Sequence, residues 1–399
     1  MTNALELLGD LHWMFVSVGM VSSVLFLGLL LWVRPRRPEV TDLPPITVLR
    51  PFDGVDPDLA HNFWSYVAAD YPAEREFLFC TARENVEGIA VAEEIIARIA
   101  REGVPGVTAR LLLPEPGEAP WVTRKVWHMA RGLTAASHDV IVNADSGTRV
   151  GPSALTVLVG TLLAKEKRGA VWAPYDVTSG GSLGARLTRV AWTATSMNFL
   201  VLEGMYRSLR VKGMLAGGLF AARREALDEL DGLRTCDGYL TEDMEVGYQL
   251  QANGWEVAPA REPVLRHLPD LPVEGFVARQ LRWNKIIWSF RNLMVPPYPL
   301  VMCGLAIAPL TFVMASLAFP ERTVEYGLAL GALYVARVLY GVAVAALTGS
   351  RPTWDIPLLL PVVDAVFLTT WFRAPFVRTI RWRDAELAVL PGGKVRPAG

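Results

Sequence analysis

The hydrophobic positions fall into three regimes along the chain. Residues 13–33 carry no charged side chain, and at about 1.5 Å per residue such a run crosses a hydrocarbon core of about 30 Å. The pattern then shortens. Brief apolar runs at 46–49, 77–80, 107–112, 140–143 and 170–174 alternate with helical periodicity at 56–69, after 91, at 122–136 and at 223–230. Such alternation predicts an α/β domain with a mostly parallel sheet covered by helices. From 298 the long runs return: 298–319 is uncharged, 326–347 contains Arg337, and 354–372 surrounds Asp364 and is interrupted by Pro357 and Pro361. The expected division is an anchor at 1–37, a globular domain at 38–296, α-helical transmembrane or re-entrant segments at 297–376 and a basic tail at 377–399.

Charges orient this plan. Glu6 and Asp10 precede the first run without any Lys or Arg, and Arg34-Pro35-Arg36-Arg37 follows it, so the positive-inside rule puts the globular domain in the cytoplasm. Without a basic n-region or a small-x-small site, the run reads as a retained anchor. Three further spans would carry the tail, with Arg373, Arg378, Arg381 and Arg383, to the other side. The Pro-interrupted last run is therefore expected to be re-entrant or interfacial. Charges inside a span need partners, which predicts that Arg337 and Asp364 pair. The apolar stretch at 192–202 is short for a span and fits a core helix or a membrane-surface helix equally.

Composition narrows the class. A 399-residue chain with 52% hydrophobic residues is expected to be an integral membrane protein with one sizeable domain. The formal net charge of -1 and the lack of basic–aromatic patches argue against nucleic acid as a partner. Cys80, Cys236 and Cys303 lie far apart, which fits neither a disulfide framework nor a zinc site and suits a reducing compartment. Basic residues are nearly all Arg, as in GC-rich bacterial genomes, and the expected location is a bacterial inner membrane.

The candidate chemistry begins at 138–147, where the run Val140-Ile141-Val142-Asn143 ends in Asp145-Ser146-Gly147. A buried strand there delivers a carboxylate to the sheet edge where α/β folds bind ligands, although Asp-Ser-Gly is also ordinary turn chemistry. A Gly-rich turn at 213–218 leads into another strand. Thr241 stands as a candidate N-cap before the acidic helix start Glu242-Asp243. Arg279 and Arg282 are three residues apart, so on a helix they share a face, with Trp283 beside them.

Taken in order, Leu49-Arg50-Pro51, Gly54-Val55-Asp56-Pro57-Asp58-Leu59, Asp70-Tyr71-Pro72, Asp145-Ser146-Gly147-Thr148-Arg149-Val150, Glu242-Asp243 and Arg-x-x-Arg-Trp at 279–283 resemble one family. It is the ceramide glucosyltransferase-like group of inverting membrane glycosyltransferases with the Rossmann-like GT-A fold, to which hopanoid-associated glycosyltransferases are related. The resemblance spans about 46 to 293, with a fainter echo at Arg381-Trp382-Arg383.

It implies transfer of a hexose, glucose above all, from a UDP-sugar to a lipid hydroxyl such as that of ceramide at the cytoplasmic leaflet. Asp243 is then the base and Glu242 its neighbour in orienting the site. Arg50, Pro51, Glu84, Lys125 and Asp145 serve the nucleotide sugar. Arg279, Arg282 and Trp283 serve the diphosphate and acceptor, as a clamp for one and a stacking surface for the other. A Mg²⁺ or Mn²⁺ held by Asp145, with His267 completing the site, fits a departing diphosphate. The chain departs from the family pattern in having Asn143 as the first member of the paired-carboxylate motif and Arg83-Glu84-Asn85-Val86-Glu87 where nucleotide-contacting Asp residues stand. A hopanoid polyol acceptor, an N-acetylglucosamine donor, or a catalytically degenerate lipid-binding protein are the alternatives. The oligomeric state is left open.

Overall fold

The computed structural model describes residues 2–39, 42–195, 197–212, 214–290, 303–351, 353–382 and 385–398. The expected boundary at 296–297, the first residues of the 298–319 run and Arg383 lie outside the described residues. The chain forms two compact units: Arg34–Asp176 with Tyr206–His267, and Met1–Val33 with Val177–Met205 and Leu268–Gly399.

Helix α1 (Thr2–Val33) is followed by β1 (Ile46–Pro51), α2 (Leu59–Val67), β2 (Arg75–Cys80), α3 (Val86–Glu102), β3 (Val107–Leu112), α4 (Arg124–Ala135) and β4 (Val140–Ala144). Next come β5 (Arg149–Val150), α5 (Ala154–Leu163), β6 (Arg168–Trp172), β7 (Tyr175–Ser179), α6 (Leu183–Thr193), α7 (Phe199–Ser208), β8 (Leu219–Arg223) and α8 (Arg224–Asp228). The chain continues through α9 (Glu242–Ala252), β9 (Glu256–Pro259), β10 (Val264–Leu268), α10 (Val273–Phe290), α11 (Gly304–Ala318), α12 (Thr323–Thr348) and α13 (Ile356–Arg373). It ends in β11 (Thr379–Trp382), β12 (Ala385–Val389) and β13 (Val395–Pro397).

The first unit is built on a seven-stranded sheet in the order β3-β2-β1-β4-β8-β6-β9. Its β1, β2, β3 and β4 pair in parallel, as do β6 and β9, while β8 runs antiparallel between β4 and β6. The expected parallel-rich α/β domain is present. Strands β1, β2 and β4 are buried along their whole length, as parallel strands covered on both faces must be, and edge strand β3 instead alternates. Val48, Phe63, Phe77, Phe79, Val142 and Ala221 belong to the core against which α2 and α3 pack. Cys80, Cys236 and Cys303 are free and buried.

In the second unit, Glu6–Val33, Pro320–Thr348 and Ile356–Phe376 are long and apolar enough to cross a membrane, and α11 is a shorter apolar helix. The expected pair exists: Arg337 Nη2 lies 3.2 Å from Asp364 Oδ1, both buried, and the Leu305 amide donates to Asp364 Oδ2 at 3.0 Å. The last apolar run forms one continuous helix despite its prolines. Pro357 sits in the first turn, where no amide hydrogen is needed. Pro361 removes the bond that the Pro357 carbonyl would accept, and the Tyr334 hydroxyl donates to that carbonyl at 3.1 Å. The C-terminal segment is folded as well, as an antiparallel sheet β11-β12-β13.

Candidate active site

Two of the sequence motifs are the halves of one staple. The carbonyl of Ser146 accepts from Asn62 Nδ2 at 3.0 Å, and Ser146 Oγ donates to Asp56 Oδ2. Arg149 reaches back to Asn62 Oδ1 at 2.8 Å and to Asp58 Oδ2 at 2.6 Å. Asp58 caps α2 with left-handed backbone, φ 59°, a conformation that Asp tolerates better than most side chains. The staple fixes the turn that carries Asp145. On the opposite side the Asp145 amide donates to the Gly218 carbonyl at 3.0 Å, and Thr148 Oγ1 donates to the Asp145 carbonyl at 2.6 Å. Asn143 is buried in β4, paired with Leu49 and Phe220 on the neighbouring strands.

Asp145 faces a cation from another element. The Lys125 ammonium, in the first turn of α4, stands 2.7 Å from Asp145 Oδ1 and 2.7 Å from Glu242 Oε1. Burial works against its charge, but Asp145, Glu242 and Asp243 outweigh that and hold the ammonium protonated, its pKa well above the usual lysine value. Arg266 Nη1 lies 4.0 Å from Asp145 Oδ2.

Asp243 follows in the first turn of α9. Its Oδ2 accepts from the Gly217 amide and its Oδ1 from the Met244 amide, both at 2.8 Å. Burial first, and then the charge of Glu242, push its carboxyl up to about 7 against the opposing pull of Lys125 and the two amides. Thr241 occupies the N-cap position without a side-chain cap bond, so the carboxylate of Asp243 does that work. A carboxylate poised near neutral pH, with amide bonds fixing both oxygens, is suited to taking a proton.

The two glycines before β8 act as seats. A Cβ on Gly217 would lie 2.8 Å from Asp243 Oδ2, and one on Gly218 would collide with the Tyr175 phenol. Tyr175 therefore belongs to the cluster. Burial, then the charge of Asp145, raises its phenol well above the usual value, while Arg266 and Lys125 oppose this. Tyr175, Arg266 and the seating role of Gly217-Gly218 escaped the sequence reading. The glycines were visible as a turn, but nothing local marks Tyr175 or Arg266, because strand pairing brings them in.

The other expected residues lie in varied places. Arg50 is fully buried, its guanidinium 4.2 Å from the Tyr66 ring centroid and 4.8 Å from that of Phe63, and Pro51 is buried beside it at the end of β1. Burial pulls the Arg50 pKa down, and Tyr66, Asp145 and Asp56 oppose this. Glu84 is exposed at the rim, 3.8 Å from Arg124 Nη2. Alternation along β10 turns Arg266 towards Asp145 and leaves the next residue, His267, exposed. Among the described residues no group of three or more His, Cys, Asp or Glu side chains converges as a metal site. Asp145 and Glu242 nonetheless hold one cation, the Lys125 ammonium, so their oxygens have the chemistry for a hard cation.

Arg279, Arg282 and Trp283 lie on α10 in the second unit. Phe276, Gln280 and Asn284 form its buried face, and Asn284 Nδ2 donates to Thr370 Oγ1 at 2.8 Å. Arg279 and Arg282 stand beside that face, partly exposed, and the Arg279 guanidinium lies 4.2 Å from the Trp192 ring centroid.

The model of the family described as Glycosyl transferase family 21 matches residues 11–395. Ceramide glucosyltransferase 3 of Caenorhabditis elegans is 24% identical over 376 residues, 90% of this chain and 76% of that protein. Ceramide glucosyltransferase 1 of the same organism is 27% identical over 270 residues, 67% of this chain and 55% of that protein. Among solved structures, the mannosyltransferase PcManGT from Pyrobaculum calidifontis in complex with GDP-Man and Mn²⁺ aligns with a TM-score of 0.47 and 16% identity, covering 90% of this chain and 99% of its own.

Proposed function

The chain belongs to glycosyl transferase family 21, a membrane hexosyltransferase acting on a lipid, and from that premise we propose that it moves glucose from UDP-glucose to a hydroxyl of ceramide, with inversion, at the cytoplasmic face of a bacterial inner membrane. The observation that carries this reading is the convergence of Asp145, Glu242 and Asp243 around Lys125, with Asp243 raised to about 7.

The reaction needs a base for the acceptor hydroxyl and positive charge for the leaving diphosphate. Asp243 takes the hydroxyl proton. Each of its oxygens already accepts one amide bond and keeps a second lone pair for that proton. The acceptor oxygen then bonds to the anomeric carbon as the bond to the diphosphate breaks, and one displacement turns an α-linked donor into a β-glycoside. Lys125 and Arg266 supply positive charge where the diphosphate oxygens depart. Glu242 holds Lys125 and keeps Asp243 basic. A bound Mg²⁺ or Mn²⁺, held through Asp145, would add Lewis-acid stabilisation of the leaving group. Arg279 and Arg282 are the proposed diphosphate clamp and Trp283 the stacking surface. Arg50, its guanidinium against the Phe63 and Tyr66 rings, and Pro51 are proposed on the nucleotide-sugar side with Glu84.

The test is product formation by the purified protein in detergent with Mg²⁺ or Mn²⁺. UDP-glucose, UDP-galactose and UDP-N-acetylglucosamine are offered against ceramide and a hopanoid polyol, with Asp243→Asn as control. The expected product is a β-glucosylceramide that the variant does not make. Product on the hopanoid alone would move the acceptor assignment, equal product from Asp243→Asn would remove the base assignment, and no donor binding at all would leave a degenerate lipid-binding protein.

A further inference from the structure

We propose that Lys125 is a built-in counter-ion of Asp145, and that a divalent cation engages Asp145 by displacing the Lys125 ammonium, which stays behind on Glu242. This rests on the reading of Asp145 as the donor-side carboxylate.

The first turn of α4 is tied to the loop that leads into α9: the Thr123 amide donates to Asp237 Oδ1 at 2.8 Å, the Gly238 amide donates to Thr123 Oγ1 at 3.0 Å, and Thr123 Oγ1 donates to the Tyr239 carbonyl at 3.3 Å. Lys125 and Glu242 are thus carried by backbone that is fastened together. Asp145 is fastened elsewhere, to the Gly218 carbonyl and, through Ser146, to α2. The contact of Lys125 with Asp145 reaches a turn held by α2 and by Gly218, whose neighbour Gly217 is bound to Asp243, and the contact with Glu242 stays within the α4–α9 tie. A flexible four-carbon stem gives up the first without the second.

Charge and space point the same way. Lys125 takes Asp145 Oδ1 at 2.7 Å while Arg266 stands 4.0 Å from Oδ2, so a second cation at Asp145 arrives beside two positive charges. Repulsion between the ammonium and a divalent ion on the same carboxylate favours the state in which Lys125 has withdrawn to Glu242. With Asp243 ionised, three carboxylates and two cationic side chains leave the cluster one negative charge. A divalent ion arriving with a doubly charged diphosphate preserves that balance once Lys125 has moved.

The experiment is Mn²⁺ titration of the detergent-purified full chain, followed by electron paramagnetic resonance without donor or acceptor. Lys125→Met is expected to bind Mn²⁺ at least about tenfold more tightly than the wild type, since the competing charge is gone, and Asp145→Asn to lose that site. Equal or weaker binding by Lys125→Met, or an intact site in Asp145→Asn, overturns the proposal. A second measurement needs no variant. Mn²⁺ should raise acylation of the Lys125 amine in the wild type several-fold by mass spectrometry, and unchanged labelling also overturns it. Both readouts omit the sugar and the lipid, so a failure of hexosyl transfer is a separate result.

Discussion

The amide of Gly217 donates to Asp243 Oδ2 at 2.8 Å, across 26 positions of sequence, and the glycine has no side chain because the carboxylate occupies that space. This contact sets where the Asp243 carboxylate, the proposed base, stands relative to the edge of β8. Gly217→Ala puts a methyl 2.8 Å from that same oxygen, so the carboxylate must move. The expected result is a kcat lower by about 100-fold with the donor KM within a few-fold, since a misplacement of this size costs about that much. Steady-state kinetics in detergent checks it.

The rate should rise with pH through about 7. Asp243 binds its proton more tightly than an ordinary Asp, so lowering the pH through that value protonates the base and stops transfer. Burial is the main cause and Glu242 the next. Removing the Glu242 charge with Glu242→Gln should therefore shift the acidic limb of the pH–rate profile downward, by about one unit or less. A limb that stays fixed or moves upward would show that the titrating group is another residue.

The staple around Asp145 predicts a different kinetic signature. Arg149→Ala cuts the bonds to Asn62 and Asp58 together, each contributing about 1 kcal/mol. Donor KM should rise about tenfold, with a smaller change in kcat, because the turn that carries Asp145 loses one side of its staple while Asp243 keeps its own anchors.

The buried pair in the helical unit predicts a stability effect without a direct catalytic one. Asp364→Leu leaves Arg337 without its carboxylate in an apolar bundle and should cost about 3–5 kcal/mol, whereas adding Arg337→Met should recover most of it. Unfolding of the purified proteins in matched detergent, measured for the two single variants and the double, gives the comparison.

A smaller effect tests how the last long helix survives its proline. Tyr334→Phe removes the donor to the Pro357 carbonyl and should destabilise the protein by about 1 kcal/mol. The same melting measurement reads it.

The sequence by itself determined a good deal of this protein. Runs such as Val140-Ile141-Val142 announce buried strands because a parallel strand covered on both faces must be apolar throughout, and spans announce themselves because lipid tolerates few charges. Arg337 and Asp364 were legible as partners for the same reason. The ordered motifs also marked Asp145, Glu242 and Asp243. What only the tertiary structure decided is which atoms meet. Lys125 between two carboxylates, Tyr175 on Gly218 and Arg266 beside Asp145 join elements distant in sequence, and their meeting depends on strand order and register, which no local pattern encodes. Arg50 shows the same limit from the other side. Its type and place beside Pro51 suit a ligand contact, and only the packing reveals that its guanidinium lies against Phe63 and Tyr66. Burial is a property of all the neighbours together, and the chain must fold before it exists.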